Sequence, residues 1–374
     1  MLEDTVFEIS QDELDAEARI RAEFQSLTNN QVFEHVLRYR IMALKRGVTV
    51  LRTASDVLGN DSRELMIPSL QETLNSVINN TSATGEFHML DVGAGSGEAI
   101  DWCFAKKFEE NVGIGKNKHI IHIIEPNSIL LKAYQQKLLE YEHLDQGIVY
   151  QGPVQDYYTY HDDALLLPKL PASVDFINCM HMIYYLSDIT KLTIDPRKAI
   201  IDFITFLYGL LKPGGAIYIA FLDMENAFNS ISRNFYEQII GDIDTSQNIS
   251  HTSKARSELL LEGKILKTLE SQIVDENIRP KILSSKVPSG FYARSLGDLA
   301  VLTLTGELLR SDDDNFDIRM LDFAIKELKT AAVTPVAIGE DKPFGLTRCV
   351  RGGENVWRVE NPLIVSVIKK ERVG

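Results

Sequence analysis

Between residues 87 and 222 the chain alternates short apolar runs with longer stretches of helical period. The apolar runs end at glycine, proline or acidic residues, which is typical of strands buried in a sheet. The stretches between them repeat apolar residues every three or four positions, which predicts helices. Strands are predicted at residues 87–92, 119–124, 147–151, 174–180 and 216–222, and helices at 98–108, 128–140 and 196–211. Regular alternation of strand and helix predicts an α/β fold with a doubly wound, parallel sheet.

The segments on either side of this alternation are mainly helical in pattern. Residues 12–47 repeat apolar side chains at helical spacing around a capping signal at 28–30, and a further helix is predicted from Pro68 to about residue 78. After Leu222, residues 224–275 and 297–330 have helical patterns, whereas 280–284 and 363–368 resemble strands that could form a terminal antiparallel pair of the same sheet. The predicted division is an N-terminal helical lid (1–80), a core (81–224), a helical insertion on the substrate side (225–280) and the C-terminal part of the core sheet (281–374).

Composition and charge narrow the class of protein. The 374 residues fit one large domain with an accessory segment, and no stretch approaches the roughly 18 apolar residues that cross a bilayer. The acidic start of the chain lacks the features of a secretory signal, so we expect a cytoplasmic location. Cys103, Cys179 and Cys349 form no C-x-x-C pair, which predicts reduced thiols and no metal site. The net charge of −14 argues against a nucleic-acid partner and is compatible with a small cationic or neutral ligand.

A glycine-rich turn follows the first strand of the alternation. Asp91 ends the strand, and Gly93, Gly95 and Gly97 form a G-x-G-x-G pattern before the next helix. Without Cβ atoms, the backbone can turn sharply and a ligand can lie against it at a helix N-terminus. The spacing differs from the dinucleotide fingerprint G-x-G-x-x-G. The turn predicts a cofactor site at these four residues, with a tight strand–helix connection as the alternative.

Polar side chains follow the next two strands. Glu125 ends the second strand, where a carboxylate could accept hydrogen bonds from both ribose hydroxyls of an adenosine, or instead cap the helix that begins at residue 128. Gln155 and Asp156 follow the third strand and could meet the adenine amino group, although a surface loop is an equal alternative. Carboxyl ends of parallel strands share one edge of the sheet, so these residues are expected to lie near the glycine turn.

The fourth strand runs into a loop that carries one imidazole and two phenols. The segment from residue 174 to 185 ends in His181, Tyr184 and Tyr185, at the edge where such a sheet binds its ligand. We interpret these residues as catalytic candidates. The alternative is a histidine and tyrosines packed beneath a helix.

Taken together, four motifs resemble the histamine N-methyltransferase family of class I S-adenosylmethionine-dependent methyltransferases. They are the glycine turn, Ile124-Glu125-Pro126, the segment from His181 to Asp188, and Asn361-Pro362-Leu363. The resemblance covers roughly residues 20 to 230 in order, is loose from 230 to 345 and returns at the last strand. It implies a parallel-dominated seven-stranded sheet, Rossmann-like, with helices on both faces.

The resemblance also implies which residues bind which ligand. S-adenosylmethionine would lie across Gly93 and Glu125, with Met180 beside the adenine. The family's substrate-binding positions fall on Asn29, His181, Tyr184, Tyr185 and Asn361. Two of these depart from the family, since Asn29 stands where the family has glutamate and His181 where it has glutamine. The family's tryptophans after the fifth strand are also missing. Only Phe228 and Phe235 are nearby aromatic residues, and Phe228 could line the substrate site.

The function predicted from these motifs is N-methylation of a small amine or imidazole-type molecule by S-adenosylmethionine. Loss of the glutamate removes the expected partner of a cationic amine or imidazole N–H, so histamine itself is not the expected substrate. Two alternatives are methylation of a protein or peptide side chain, and cofactor binding without turnover by a regulatory protein.

Overall fold

A computed structural model describes most of the chain. The described residues are 6–29, 31–32, 57–60, 62–80, 85–97, 99–112, 118–159, 167–171, 173–187, 194–223, 226–304, 315–337, 340–351 and 353–373. Residues 33–56 of the predicted lid, Glu98 after the glycine turn and Asp188 of the tyrosine motif lie outside these ranges. Among the described residues no helix is both long and apolar enough to cross a membrane.

The elements follow one another in mixed α/β order. The helices are α1 (Gln11–Phe24), α2 (Ser62–Asn80), α3 (Ala105–Val112), α4 (Ser128–Leu138), α5 (Asp156–Thr159), α6 (Pro196–Leu210), α7 (Ala227–Phe235), α8 (Ile243–Arg256), α9 (Leu266–Glu270), α10 (Leu296–Thr303) and α11 (Ile318–Val333). The strands are β1 (Val57–Asn60), β2 (Glu86–Val92), β3 (Lys118–Ile124), β4 (Leu144–Tyr150), β5 (Val174–Met180), β6 (Leu211–Leu222), β7 (Ile278–Val287), β8 (Gly290–Ala293), β9 (Thr347–Arg351), β10 (Glu354–Glu360) and β11 (Leu363–Arg372).

Seven strands form one sheet in the order β4-β3-β2-β5-β6-β11-β7. Strands β2 to β6 pair in parallel. Strand β11 is antiparallel to both of its neighbours, β6 and β7. This confirms the predicted doubly wound, mostly parallel sheet, and the two late strands join it as the expected antiparallel pair.

Helices cover both faces of this sheet because its strands are apolar on both sides. In β2, for example, Met89 packs into the cluster formed with α2, α3 and α4, whereas Leu90 packs into the cluster formed with α6 and residues 255–269. Successive side chains of a strand point to opposite faces, so a run of apolar residues needs cover on both. Helix α6 supplies that cover with a buried stripe that includes Phe203 and Leu207.

A second sheet, which the sequence patterns did not predict, lies beside the first. It is antiparallel in the order β1-β8-β10-β9. Of the segment 281–374, which was expected to belong to the core sheet, the strands β8, β9 and β10 are therefore in this second sheet, and only β7 and β11 are in the first. Three of its strands, β1, β8 and β9, have only four or five residues, which leaves little room for an alternation of apolar and polar positions.

Helix α1 packs on α10 and α11 beside the second sheet. Its Glu13 is buried and accepts hydrogen bonds from the Trp357 indole N–H and, at 2.7 Å, from the Leu296 N–H. Two further contacts tie α1 to these helices, Arg19 to Asp298 at 3.3 Å and Lys329 to Glu17 at 2.8 Å. The start of the chain is therefore held to the smaller sheet. The continuous helical stretch expected at 297–330 is two helices, α10 and α11.

Candidate functional site at the carboxyl edge of the large sheet

The glycine turn after β2 has backbone angles that only glycine adopts without strain. Gly93, Gly95 and Gly97 have φ angles of 64°, 59° and 74°. A Cβ on Gly93 would lie 2.4 Å from Met182 Cβ, and one on Gly97 would lie 2.8 Å from Cδ2 of Tyr134. The turn is thus packed against the segment that follows β5 on one side and against α4 on the other.

Glu125 is joined to this turn by a hydrogen bond from the backbone. It directly follows β3 and is buried, and its Oε2 accepts the Gly95 N–H at 2.8 Å. Its Oε1 accepts the Asn127 N–H at 2.9 Å, just before α4 begins. Two N–H donors stabilise the ionised form of the carboxylate and fix its orientation. The predicted ribose-binding residue is therefore a preorganised negative charge at the rim of the glycine turn.

Asp91 lies behind the turn, in the interior. Its Oδ2 accepts the Tyr134 hydroxyl at 2.8 Å and its Oδ1 accepts the Asn178 amide at 2.9 Å, and the carboxylate is 1% exposed. These bonds link β2 to β5 and to α4. Asp91 was predicted as a cofactor-binding residue, and its side chain is placed to position the turn from behind.

The loop after β4 brings Gln155 and Asp156 towards the same edge. The Gln155 side-chain amide donates to the Tyr185 carbonyl at 2.8 Å, which connects this loop to the tyrosine segment. Asp156 begins α5 and accepts the Tyr150 hydroxyl. Burial, with Asp156 as the second cause, raises the pKa of Tyr150 to about 12, so this phenol remains a hydrogen-bond donor at neutral pH.

His181 occupies a strained position at the end of β5. Its φ of 56° is unusual for a residue with a side chain, and its N–H donates to Ala220 of β6 at 2.8 Å. Such outliers are held by their surroundings and are frequent at functional sites. The imidazole is exposed, with Nδ1 3.5 Å from the Tyr184 hydroxyl, while the preceding residue, Met180, is half-buried.

Tyr184 and Tyr185 differ in their surroundings. The Tyr184 hydroxyl accepts the Leu222 N–H, and the Arg256 guanidinium lies 4.9 Å from the centroid of its ring. Arg256 ends α8 and is 2% exposed, so a buried cation lies against this tyrosine. Tyr185 is 53% exposed, which makes its ring the more accessible of the two aromatic surfaces.

Asn361 lies before β11 and is buried. Its N–H donates to the Ser289 carbonyl at 2.9 Å, and the Ser289 hydroxyl donates to the Asn361 carbonyl. Its side-chain Oδ1 accepts no hydrogen bond among the described residues. The adjacent Pro362 carbonyl accepts the Asp223 N–H at 2.9 Å, so Asn361 lies at the end of β6, close to the tyrosine segment.

The remaining two predicted residues, Asn29 and Phe228, lie in helical segments rather than at strand ends. Asn29 is half-buried and follows Thr28, which pairs with Asn315 beside α11. Phe228 belongs to α7, but its side chain lies outside the described residues. The strand ends therefore bring together the residues predicted for the cofactor, His181, both tyrosines and Asn361.

Two charged groups of this edge were not predicted. One is Arg256, because no sequence pattern predicts its contact with Tyr184. The other is Asp223, directly after β6, which forms an ion pair with Lys286 of β7 at 2.5 Å. The signal for Asp223 was present in the sequence, because it is the same acidic strand end that drew attention to Glu125. Among the described residues no cluster of histidine, cysteine and carboxylate side chains could hold a metal ion.

The known proteins that are similar to this chain are solved structures of low sequence identity. No protein-family profile and no curated protein sequence matches the chain. Similar solved structures include the plantazolicin methyltransferase BamL with S-adenosylhomocysteine and a desmethyl analogue (14% identity, 95% of this chain, 99% of that chain, TM-score 0.38). Another is a loganic acid methyltransferase with S-adenosylhomocysteine (11% identity, 83% of this chain, 93% of that chain, TM-score 0.49). A third is the YcgJ protein from Bacillus subtilis (12% identity, 80% of this chain, 99% of that chain, TM-score 0.37). These identities and TM-scores are low, so the doubly wound α/β fold rests on the order and direction of the strands alone.

Proposed function

We propose that this chain is an S-adenosylmethionine-dependent methyltransferase that acts on a nitrogen atom of a small molecule, of amine or imidazole type. The observation that carries the proposal is the Glu125 carboxylate, which accepts hydrogen bonds from the N–H groups of Gly95 and Asn127. It lies beside a turn whose glycines have left-handed backbone angles. A carboxylate held next to Cβ-free backbone at the carboxyl edge of a parallel sheet suits an adenosine ribose.

The residues of this edge fit the parts of such a cofactor. The protein backbone at Gly93, Gly95 and Gly97 would contact the cofactor. Glu125 would accept hydrogen bonds from the two ribose hydroxyls. Gln155, Asp156 and Met180 would contact the adenine. Asp91 supports the turn through Tyr134 and Asn178.

Methyl transfer needs positioning more than acid–base chemistry. S-adenosylmethionine would supply a methyl group on a sulfonium: the lone pair of a neutral nitrogen forms the new N–C bond as the C–S bond breaks, and S-adenosylhomocysteine leaves. Holding the two partners in line accounts for most of the acceleration in such a reaction. Tyr185, which exposes half of its ring, would shield the reacting atoms and present an electron-rich face to positive charge.

His181 acts in this scheme as an orienting donor. The Leu222 N–H donates to the Tyr184 hydroxyl oxygen, so the Tyr184 proton can be directed to His181 Nδ1. An imidazole that accepts at Nδ1 carries its own proton at Nε2. His181 would then donate Nε2–H to the substrate, with Asn361, Asn29 and Phe228 forming other parts of the substrate site.

Histamine is not the expected substrate. The position that resembles the family's glutamate is Asn29, and an amide cannot balance a cationic amine. A polar group left unpaired on burial costs about 1–3 kcal/mol, which is enough to make another amine or heterocycle the better acceptor.

The part of the predicted lid (1–80) that precedes α2 is proposed to act as the lid, with α1 anchored to α10 and α11, whereas α2 packs on the large sheet. Removing the residues before α2 should abolish turnover while α2 to β6 remain folded. Full turnover by such a shortened chain would exclude this role.

The direct test of the function is a panel of small amines and imidazoles, including histamine, assayed for release of S-adenosylhomocysteine. We expect at least one acceptor other than histamine to be methylated on nitrogen, identified by mass spectrometry of the product. His181→Ala should reduce turnover more than it reduces cofactor affinity. Methylation of peptides but not of small molecules would reassign the substrate class, and cofactor binding with no acceptor in either class would indicate a regulatory protein.

A further inference from the structure

A polar cavity of about 470 Å³ lies in the helical insertion after β6, between α7 and α8. This volume is in the range of small-molecule sites. Six side chains line the cavity, and all of them are polar: Arg233, Asn234, Glu237, Ser246, Gln247 and Ser250. An apolar ligand would cover these groups without pairing them, which is unfavourable. The walls therefore favour a polar ligand.

Two hydrogen bonds between α7 and α8 show where the cavity lies along them. The Asn229 amide donates to Ser253 Oγ at 2.9 Å, and the Arg233 guanidinium donates to Ser250 Oγ at 3.1 Å. Residue numbers rise along α7 as they fall along α8, so the two helices are antiparallel. Arg256, at the tyrosine segment, ends α8, and Ser250 precedes it by six residues, about 9 Å along the helix axis. The cavity is thus separate from the candidate site at the strand ends.

The chain changes its helical winding at this cavity. After α7, residues Tyr236–Ile240 form one π-helical turn, in which the Gly241 N–H donates to the Tyr236 carbonyl. Gly241 has a left-handed φ of 76° and ends the turn. π-Helical turns are rare and occur frequently at functional sites. This turn carries Glu237, so it contributes the acidic wall of the cavity.

The cavity has one wall of each charge. Of the five N–H donors of Arg233, one donates to Ser250, and the buried Nε–H meets no acceptor among the described residues. Glu237 lies four positions later and is exposed. Both side chains line the cavity, but in the described part of the chain they form no ion pair with each other. A donor on one side and an acceptor on the other are thus left for a ligand.

We propose that this cavity binds a small zwitterion of the α-amino-acid class, with its carboxylate at Arg233 and its ammonium at Glu237. A guanidinium suits a carboxylate because it can donate two parallel hydrogen bonds. A ligand with one charge of each sign pairs both walls, whereas a phosphate or another anion would be repelled by Glu237. The serine hydroxyls and the two amides of the cavity are left for a polar side chain of the ligand. The inference does not depend on the proposed function, because it requires no methyl transfer.

Thermal unfolding of the whole protein tests for such a ligand. The probes are the common α-amino acids, added one at a time at about 5 mM, and a ligand that binds only the folded protein raises the unfolding midpoint. We expect at least one of them to raise it by about 1 °C or more. The absence of a response to all of them would refute the inference.

Calorimetric titration then tests which charges of that amino acid are recognised. Its amide lacks the carboxylate and should bind at least about 10-fold more weakly, as expected for one charge-assisted contact. Its N-acetyl derivative lacks the ammonium and should bind about 2- to 5-fold more weakly, because an exposed partner such as Glu237 contributes less. Equal affinity of the amino acid and its amide would contradict the role of Arg233.

Two variants assign the binding to this cavity. Arg233→Gln should bind the amino acid at least about 10-fold more weakly and no better than its amide. Glu237→Gln should bind the amino acid and its N-acetyl derivative with equal affinity, and this exposed position decides the test even if Arg233→Gln does not fold. Arg279→Gln and Glu276→Gln are the matched controls, since both residues are exposed near the start of β7, and they should bind like the wild type.

Unchanged recognition of the amino acid in Arg233→Gln and Glu237→Gln would place its binding elsewhere and refute the inference. Failure of the wild type to bind S-adenosylhomocysteine would instead refute the proposed function alone, since the amino-acid titrations contain no cofactor.

Discussion

Replacing Gly93 by alanine tests whether the glycine turn and the segment after β5 form one packed unit. Gly93 has a φ of 64°, and an alanine Cβ would lie 2.4 Å from Met182 Cβ. A left-handed conformation costs a residue with a Cβ roughly 1–2 kcal/mol. Met182 Cβ is attached to the backbone next to His181, so it cannot move aside without shifting the site. Overpacking of this kind costs about 1–3 kcal/mol more.

The free energy of unfolding should thus fall by about 2–5 kcal/mol in Gly93→Ala. The matched control is Gly241→Ala, because Gly241 has a φ of 76° but a Cβ there would meet no atom within 4 Å. Its cost should be the conformational part alone, about 1–2 kcal/mol. Urea unfolding measures both values, and calorimetry with S-adenosylhomocysteine should show at least about 10-fold weaker binding only for Gly93→Ala. Equal losses of stability and unchanged binding in both variants would refute the packing argument.

Two further predictions concern buried polar groups. Tyr134→Phe removes the hydroxyl that donates to buried Asp91, so the free energy of unfolding measured in urea should fall by about 1.5–3 kcal/mol. The control, Tyr141→Phe, loses a partly exposed hydrogen bond to Asp101 at 3.1 Å and should lower that free energy by less than about 1 kcal/mol. Equal losses would contradict the role given to Asp91. Burial, and secondarily His88, lower the pKa of His122 from its ordinary 6.5 to about 4, so the unfolded chain binds this proton more readily and stability should fall as the pH drops from 6.5 to 4, by at most about 3 kcal/mol. His122→Asn should flatten that pH dependence of the unfolding midpoint, and an unchanged slope would exclude His122 as its source.

The parts of this molecule that could be predicted from sequence are those governed by neighbouring residues. The glycine turn, the acidic strand end at Glu125 and the histidine–tyrosine segment each combine an apolar strand with the residues that directly follow it. The large sheet follows from the same alternation, because buried parallel strands are continuous apolar runs.

The parts that sequence did not predict depend on distant contacts. Strand β1 pairs with β8, more than two hundred positions later, and strands of this length carry too few residues for a periodic signal. The contact of Arg256 with Tyr184 arises because α8 packs against α6 and α7, which no local pattern encodes. Asp223 had the same local signal as Glu125, but its contacts with Lys286 and Pro362 join segments that are distant in sequence.

The central claim is that Glu125 and the glycine turn bind S-adenosylmethionine, and calorimetric titration of Glu125→Gln tests it most directly. Glutamine has a single acceptor oxygen and no charge, so it cannot serve Gly95, Asn127 and a ribose together. Loss of a charge-assisted contact of about 1.5–3 kcal/mol corresponds to about 10- to 150-fold weaker binding. Glu142→Gln is the control, since Glu142 is an exposed carboxylate just before β4. We expect the wild type and Glu142→Gln to bind one equivalent of S-adenosylhomocysteine with equal affinity. Folded Glu125→Gln should bind it at least about 10-fold more weakly. No binding by the wild type, or the same affinity in all three proteins, would contradict the account.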